Sequence, residues 1–441
     1  MYIIDKLDNG IKVVMEKIEY VNSVTIGVIV ENGSVRENVE NNGVSHFIEH
    51  MLFKGTKKRT PKQIAESIDD IGGQLNAFTG KEQTCYFAKV LDQHLPIAID
   101  VLGDMLNNSV FRHEDIEKEK SVILEEINMY EDSPDDLVFE ALNDIMYEGT
   151  SLQLPILGSE ESISKLNREN ILDYFYINYN PSDIIISIAG KFDIKDTIEK
   201  LNVYFGNFND KKIYKPVNSM DQIHISGNKI KGIKKDIEQL NLCIGLEGVN
   251  NISEDIHPIL VLNNIFGGSM SSRLFQKIRE DRGLVYEIDS HLSTYNETGV
   301  FSIYAGLNPD CLVEVAELIN EEIDNLKKNL ITEHELSKSK EQLKGNYILG
   351  MEGTFNRMFE IGKSMSLLNR IETPVEVLNK IDKVNMQDIE RVIGKVFNEE
   401  KLNISYVGKL SNPSATEERL RNIFKMKRRE ENGRDKNKVC K

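Results

Sequence analysis

Cysteine is scarce in this 441-residue chain, and what there is stands apart. Cys85, Cys243, Cys311 and Cys440 form no CxxC pair. That spacing excludes both a zinc knuckle and a disulfide framework, and it fits a reducing cytoplasm. Long apolar runs are also missing. No segment reaches the roughly 18 apolar residues of a membrane span. The N-terminus, "MYIIDKLDNGIKVVME", lacks the basic and apolar regions of a signal peptide and reads instead as a hairpin turning at Asn9-Gly10. Basic excess is absent: the net charge is −17, which argues against nonspecific nucleic-acid binding. The end alone departs from this, with eight Lys/Arg against three acids from Lys425 to Lys441 in a polar run that reads as a frayed tail. A regular βαβ alternation is lacking too, so strands mixed with amphipathic helices point to an α+β fold.

The chain does contain itself twice. "SVTIGVIVENGSVRE" (23–37) has a counterpart in "QLNLCIGLEGVNNISED" (239–255), each an alternating strand entering a polar loop. A helix follows in both, ending at "FKG" (53–55) and "FGG" (266–268). "CYFAKVLDQHLPIAIDVLGDML" (85–106) is echoed by "FSIYAGLNPDCLVEVAELINEEI" (301–323), a strand feeding a long helix. "SDIIISIAGKF" (182–192) is echoed by "EKLNISYVGKL" (400–410). An offset of about 215 residues runs through all three pairs and predicts two similar domains. The expected division is 1–215, 216–425 and a basic tail, 426–441, without a fold. The joint falls in the polar segment 209–235, rich in Pro, Gly and Lys rather than in a core pattern.

Within this repeat, one feature occurs once. "NNGVSHFIEHMLFKGT" (41–56) carries His46 and His50 four apart with Glu49 between them. On a helix, residues four apart share a face, so both imidazoles can reach one ion. Glu49, slightly offset, is placed to act on a water instead. This is the H-x-x-E-H inversion of the zincin motif, in which the glutamate is the general base. The matching stretch of the second half, "HPILVLNNIFGG" (257–268), is apolar. The fold unit therefore does not need the His/Glu/His set for packing. A chance match arises in about two chains per hundred, so the motif needs a third ligand to be convincing.

"HEDIEKEKSVILEEINMYEDSPDD" (113–136) supplies one. At helical spacing, Ile116, Ile123, Ile127 and Tyr130 form an apolar stripe, and Glu119 and Glu126 fall on it. Carboxylates on a buried face are costly unless they are paired or bound to metal. Glu126 is read as the third ligand and Glu119 as a carboxylate behind the site, bonding a ligand histidine. The bland alternative is a helix edge with salt-bridging glutamates.

Taken together, "HFIEHMLFKGT" and Glu126 within "EKSVILEEINMYED" resemble the pitrilysin (insulinase) family of zinc peptidases, in particular its short bacterial members and the catalytic subunit of the mitochondrial processing peptidase. The likeness runs from "LDNGIKVV" to "ISYVGKL". It implies two related domains, each a mixed or antiparallel sheet with helices packed on one face. It also implies one zinc ion held by His46, His50 and Glu126, with Glu49 as base and Glu119 as a neighbour of the site. In such enzymes an Asn-Ala strand is a sheet edge on which substrate adds as a further strand, which places Asn76 and the backbone of Ala77 in contact with substrate. An arginine and a tyrosine at the spacing of Arg279 and Tyr286 bind substrate carbonyls and stabilise developing negative charge. These expectations describe a cytoplasmic zinc metalloendopeptidase, acting as a homodimer on peptides or unfolded segments, with neither nucleic acid nor membrane insertion. The competing expectation is a noncatalytic peptide-binding or assembly subunit that keeps a structural zinc. The remaining histidines carry no assigned role. The cysteines read as passive, although modification of Cys85, on the substrate hairpin, could block binding.

Overall fold

The computed structural model describes residues 1–208, 223 and 225–427. The middle of the expected joint with the 215/216 boundary, His224, Cys440 and nearly all of the basic tail lie outside the described residues. Two sheets organise the rest. The first has six strands: β1 (Tyr2–Lys6), β2 (Lys12–Lys17), β3 (Ser23–Val30), β4 (Gln74–Thr79), β5 (Thr84–Leu91) and β6 (Ile184–Gly190), in the order β1-β2-β6-β3-β5-β4. The second has β7 (Ile230–Ile233), β8 (Leu240–Glu247), β9 (Val285–Thr294), β10 (Gly299–Leu307) and β11 (Asn403–Val407), in the order β7-β11-β8-β10-β9. Without β1 the two orders superimpose strand for strand. Each contains one parallel pair, β2 with β6 and β7 with β11, and is otherwise antiparallel. The repeat read from the sequence is thus a repeat of topology. One part of the reading is corrected: the Lys-rich joint hides the strand β7.

Alternation along the strands sends one set of side chains to each face. In β3, Val24, Ile26, Val28 and Val30 join a core with Phe47, Ile48 and the helix Leu95–Asn108, while Ile29 turns to the opposite face with Val14, Cys85 and Ile185. That opposite face is covered by a helix from the other half of the chain, Thr354–Leu368, which brings Ile361 and Met365. The second sheet receives the reciprocal helix, Pro134–Met146, whose Val138, Leu142 and Met146 pack on Cys243, Val300 and Val407. Both exchanged helices come close because a glycine lies beneath each. A Cβ at Gly27 of β3 would stand 2.4 Å from Met358 Sδ, and one at Gly245 of β8 would stand 2.6 Å from Met146 Sδ. Polar contacts fix the register. Thr25 and Thr354 share a 2.8 Å hydroxyl hydrogen bond, the Arg357 guanidinium meets Glu16 at 2.6 Å, and Ser405 Oγ donates to the Val138 carbonyl at 2.7 Å.

Candidate metal centre

The helix Val44–Leu52 begins after Gly43, which has no side chain to cap it. The capping oxygens come from further back. The Glu37 carboxylate accepts from the Gly43 amide at 2.6 Å, the Ser45 amide at 2.8 Å and Asn42 Nδ2 at 3.0 Å. A carboxylate at this end also meets the favourable pole of the helix dipole. Burial nonetheless raises the Glu37 carboxyl against these bonds. Ser45 Oγ, one residue before His46, adds a 2.9 Å bond to the Tyr174 hydroxyl. The N-terminus of the helix is therefore held by buried polar groups, and His46 and His50 emerge on one face with ring centroids 4.5 Å apart.

The helix His113–Glu131 packs across this one, with Ile116, Ile123 and Ile127 buried as the periodicity predicts. Tyr130 departs from that stripe: it is 41% exposed, because the last turn projects beyond the core to the rim of a cavity. Glu126 Oε1 lies 3.8 Å from His46 Nε2, and Glu126 Oε2 lies 3.6 Å from His50 Nε2. One ligand atom from each of the three residues falls within 4.8 Å of the others. Gaps of this size are too long for hydrogen bonds. They suit a shared ion, since two ligands about 2.1 Å from a tetrahedral centre stand about 3.4 Å apart. Two imidazoles and a carboxylate also form a donor set typical of catalytic zinc. The residues present therefore fit the metal.

Protonation treats the two rings differently. Burial, then the neighbouring His50, push His46 down to about 3, so its ring is neutral and keeps a lone pair. Burial would lower His50 as well, but its bond to Glu119 and the charges of Glu119, Glu126 and Glu49 hold it above the usual value. The His50 Nδ1–H donates to Glu119 Oε1 at 2.8 Å, leaving Nε2 turned toward Glu126. Glu119 is buried, and its other oxygen meets Lys54 Nζ at 2.6 Å. Those two bonds outweigh burial and keep its carboxyl below the ordinary range.

Glu49 stands on the flank of the motif helix nearest β4, where Thr79 Oγ1 donates to its Oε2 at 2.5 Å. Burial raises the Glu49 carboxyl, against the pull of Thr79 and His50 and with a push from Glu126. His46, Glu49, His50 and Glu126 face one cavity of about 550 Å³, lined also by Ala77, Phe78 and Thr79. Among the described residues β4 is the edge of its sheet, paired only with β5. Asn76 is exposed there, and its side-chain oxygen accepts from the Ala77 amide at 2.8 Å.

Arg279 and Tyr286 stand elsewhere. Arg279 lies in the π-helical turn Phe275–Glu280, with its guanidinium 4.8 Å over the Phe275 ring. Tyr286 lies on β9, the edge strand equivalent to β4, and is 76% exposed. Neither lines the cavity. Cys85 is fully buried beneath the sheet, its thiol pushed up to about 12 by burial and then by Glu49, so access to it for modification is closed. Sequence reasoning passed over Glu37, Lys54 and Thr79. Lys54, four residues after His50, carried a helical-spacing signal, whereas Glu37 and Thr79 act from a loop and a strand and carried none.

No helix among the described residues is long and apolar enough to cross a membrane. Residues 12–160 match the family described as insulinase (peptidase family M16), and residues 165–343 match the peptidase M16 inactive domain. A Bacillus subtilis protein named uncharacterized zinc protease YmxG is 42% identical over 393 residues, covering 89% of this chain and 95% of the relative. Streptomyces coelicolor uncharacterized zinc protease SCO5738 is 34% identical over 415 residues, covering 93% and 90%. Among solved structures, a protease from Helicobacter pylori superimposes with a TM-score of 0.86 at 20% identity, over 93% of this chain and 99% of that one. A peptidase M16 inactive domain from Pseudomonas fluorescens gives 0.84 at 17% identity, over 93% and 98%. The inverted motif lies in the half matched by the first description and the apolar counterpart in the half matched by the second, and with relatives aligned along nearly their whole lengths the chain belongs to the insulinase family, peptidase family M16.

Proposed function

We propose that this chain is a zinc-dependent metalloendopeptidase that cleaves peptides or unfolded segments held in extended conformation. The observation that carries the reading is the convergence of His46, His50 and Glu126 from two helices, with Glu49 beside them on the same cavity. Zinc bound there supplies Lewis acidity, polarising the scissile carbonyl and lowering the pKa of water. Glu49 takes a proton from the attacking water and passes it to the leaving amine. Glu119 fixes the His50 ring. A peptide adding to the free edge of β4 takes over the Ala77 amide that Asn76 now occupies, and main-chain pairing selects an extended backbone more than a sequence.

The noncatalytic alternative is weakened by the donor count. A structural zinc takes four protein ligands, and the described residues group three, with Glu49 engaged by Thr79 instead. Arg279 and Tyr286 lie apart from the cavity of their own chain, which supports their supply from the second subunit of a homodimer in a cytoplasmic enzyme. The metal-bearing domain is then 1–215 and the substrate-clamping domain 216–425.

Metal analysis of the purified protein, with hydrolysis of a quenched unstructured peptide in the presence and absence of chelator, tests the reading. Glu49→Gln is expected to bind one zinc ion per chain and to cut nothing. Cleavage retained in that variant refutes the assignment of the base. Glu49→Gln and Arg279→Ala subunits, mixed, recover activity if the arginine acts across the dimer; no recovery defeats that arrangement.

A further inference from the structure

We propose that Thr79 is a positioning residue for Glu49, so that the strand that receives the peptide also aims the base. The proposal rests on the peptidase reading of the same site. Its basis is the 2.5 Å bond from Thr79 Oγ1 to Glu49 Oε2, in a half-buried position on the cavity wall. A glutamate side chain has three rotatable bonds and is held in one pose only where something fixes it. Here the hydroxyl occupies one carboxylate oxygen and leaves Oε1 without a hydrogen bond among the described residues. Among the described residues no other hydrogen bond or ion pair holds the Glu49 carboxylate; Glu119 bonds His50 and Lys54.

Thr79 is itself fixed. It is the last residue of β4, paired with Thr84 across the hairpin. The turn that follows is pinned to the loop ahead of the motif helix, with the Ser34 amide donating to the Gly80 carbonyl at 3.3 Å and the Val35 amide donating to the Lys81 carbonyl at 2.7 Å. The hydroxyl therefore sits at a set distance from the helix. Two residues back along the same strand is Ala77, whose amide a peptide strand would engage. The strand that would pair with the peptide therefore also carries the hydroxyl that aims the base.

The test compares Thr79→Val, which keeps the shape and removes the donor, with Thr79→Ser, which keeps the donor. Zinc content, kcat and KM are measured for a quenched peptide. Thr79→Val is expected to retain one zinc ion per chain and KM within about twofold while kcat falls roughly tenfold to hundredfold, the scale of a misplaced catalytic group. Thr79→Ser is expected to recover most of that loss. A wild-type kcat in Thr79→Val overturns the proposal, as does a rise in KM alone or equal damage in both variants. If the wild-type protein with zinc leaves the peptide uncut, the peptidase reading is what fails. The positioning claim is then decided by a crystal structure of Thr79→Val: a Glu49 carboxylate still fixed in its original pose overturns it, and a displaced or disordered one upholds it.

Discussion

Replacing Glu119 by glutamine separates what holds the metal from what holds the protein. The wild-type carboxylate is 4% exposed and takes two charge-assisted bonds, from His50 Nδ1 at 2.8 Å and from Lys54 Nζ at 2.6 Å. A hydrogen bond to a charged group contributes about 1.5–3 kcal/mol and a neutral one about 0.5–1.5 kcal/mol. Glutamine keeps an acceptor for His50 but loses the charge, a difference of about 1–1.5 kcal/mol. Its amide group must then face the Lys54 ammonium, donor against donor. Lys54 is 34% exposed and can turn to water, so this adds little. With about 1.4 kcal/mol per factor of ten, zinc binding weakens by roughly fivefold to twelvefold, at the lower edge of the range for groups that support metal ligands. Competition with a chromogenic chelator measures the affinity, and thermal unfolding without metal shows whether the fold is intact. An affinity within twofold of wild type in a folded Glu119→Gln protein refutes the role given to this carboxylate.

Two further outcomes follow from the packing and the ion pairs. Met358, fully buried between the exchanged helix and the first sheet, is expected to cost about 2–5 kcal/mol when cut to alanine, and urea unfolding that shows less than about 1 kcal/mol would remove the helix from the stability of that sheet. Burial alone would raise the Glu335 carboxyl, but the Arg273 guanidinium and the Thr332 backbone bring it from 4.5 to about 2. Because the folded value lies below the unfolded one, its stabilisation is complete above 4.5 and is lost as pH falls toward 2. Glu335→Gln is expected to flatten the fall in stability across that window, and an unchanged slope in acid unfolding would contradict it.

The sequence exposed some of this and concealed the rest for physical reasons. The motif helix was legible because spacing of four on a helix is a statement about space, and Glu126 was legible because a carboxylate on an apolar stripe asks for a partner. Tyr130 shared the stripe and yet emerged at the cavity rim, since periodicity does not say where the neighbouring element stops. The segment around β7, "NKIKGIKKD", concealed a strand because a short edge strand with one neighbour needs lysines more than an alternating core pattern. The exchange of helices was also concealed. An amphipathic pattern fixes which face of "TFNRMFEIGKSMSLL" is buried but not which sheet it meets.

That exchange ties the half that lacks the metal motif to the position of the third candidate ligand. Glu126 rides on the helix His113–Glu131, which breaks at Ser133 and continues as Pro134–Met146. The break is tight: Ser133 Oγ bonds Asp135 and Asp136, each at 2.7 Å. The continuing helix is clamped to the second sheet by Val138, Leu142 and Met146 and by the Ser405 bond to the Val138 carbonyl. The helix of His46 and His50 packs in the first core and that of Glu126 is anchored to both sheets, so the spacing of the three candidate ligands depends on the relation of the two sheets. The reciprocal helix, Thr354–Leu368, closes the same frame from the other side through Arg357 and Glu16. Severed at the joint, the first half would expose the apolar back of its sheet and release the far anchor of the helix that carries Glu126, and the motif helix alone would offer only two imidazoles.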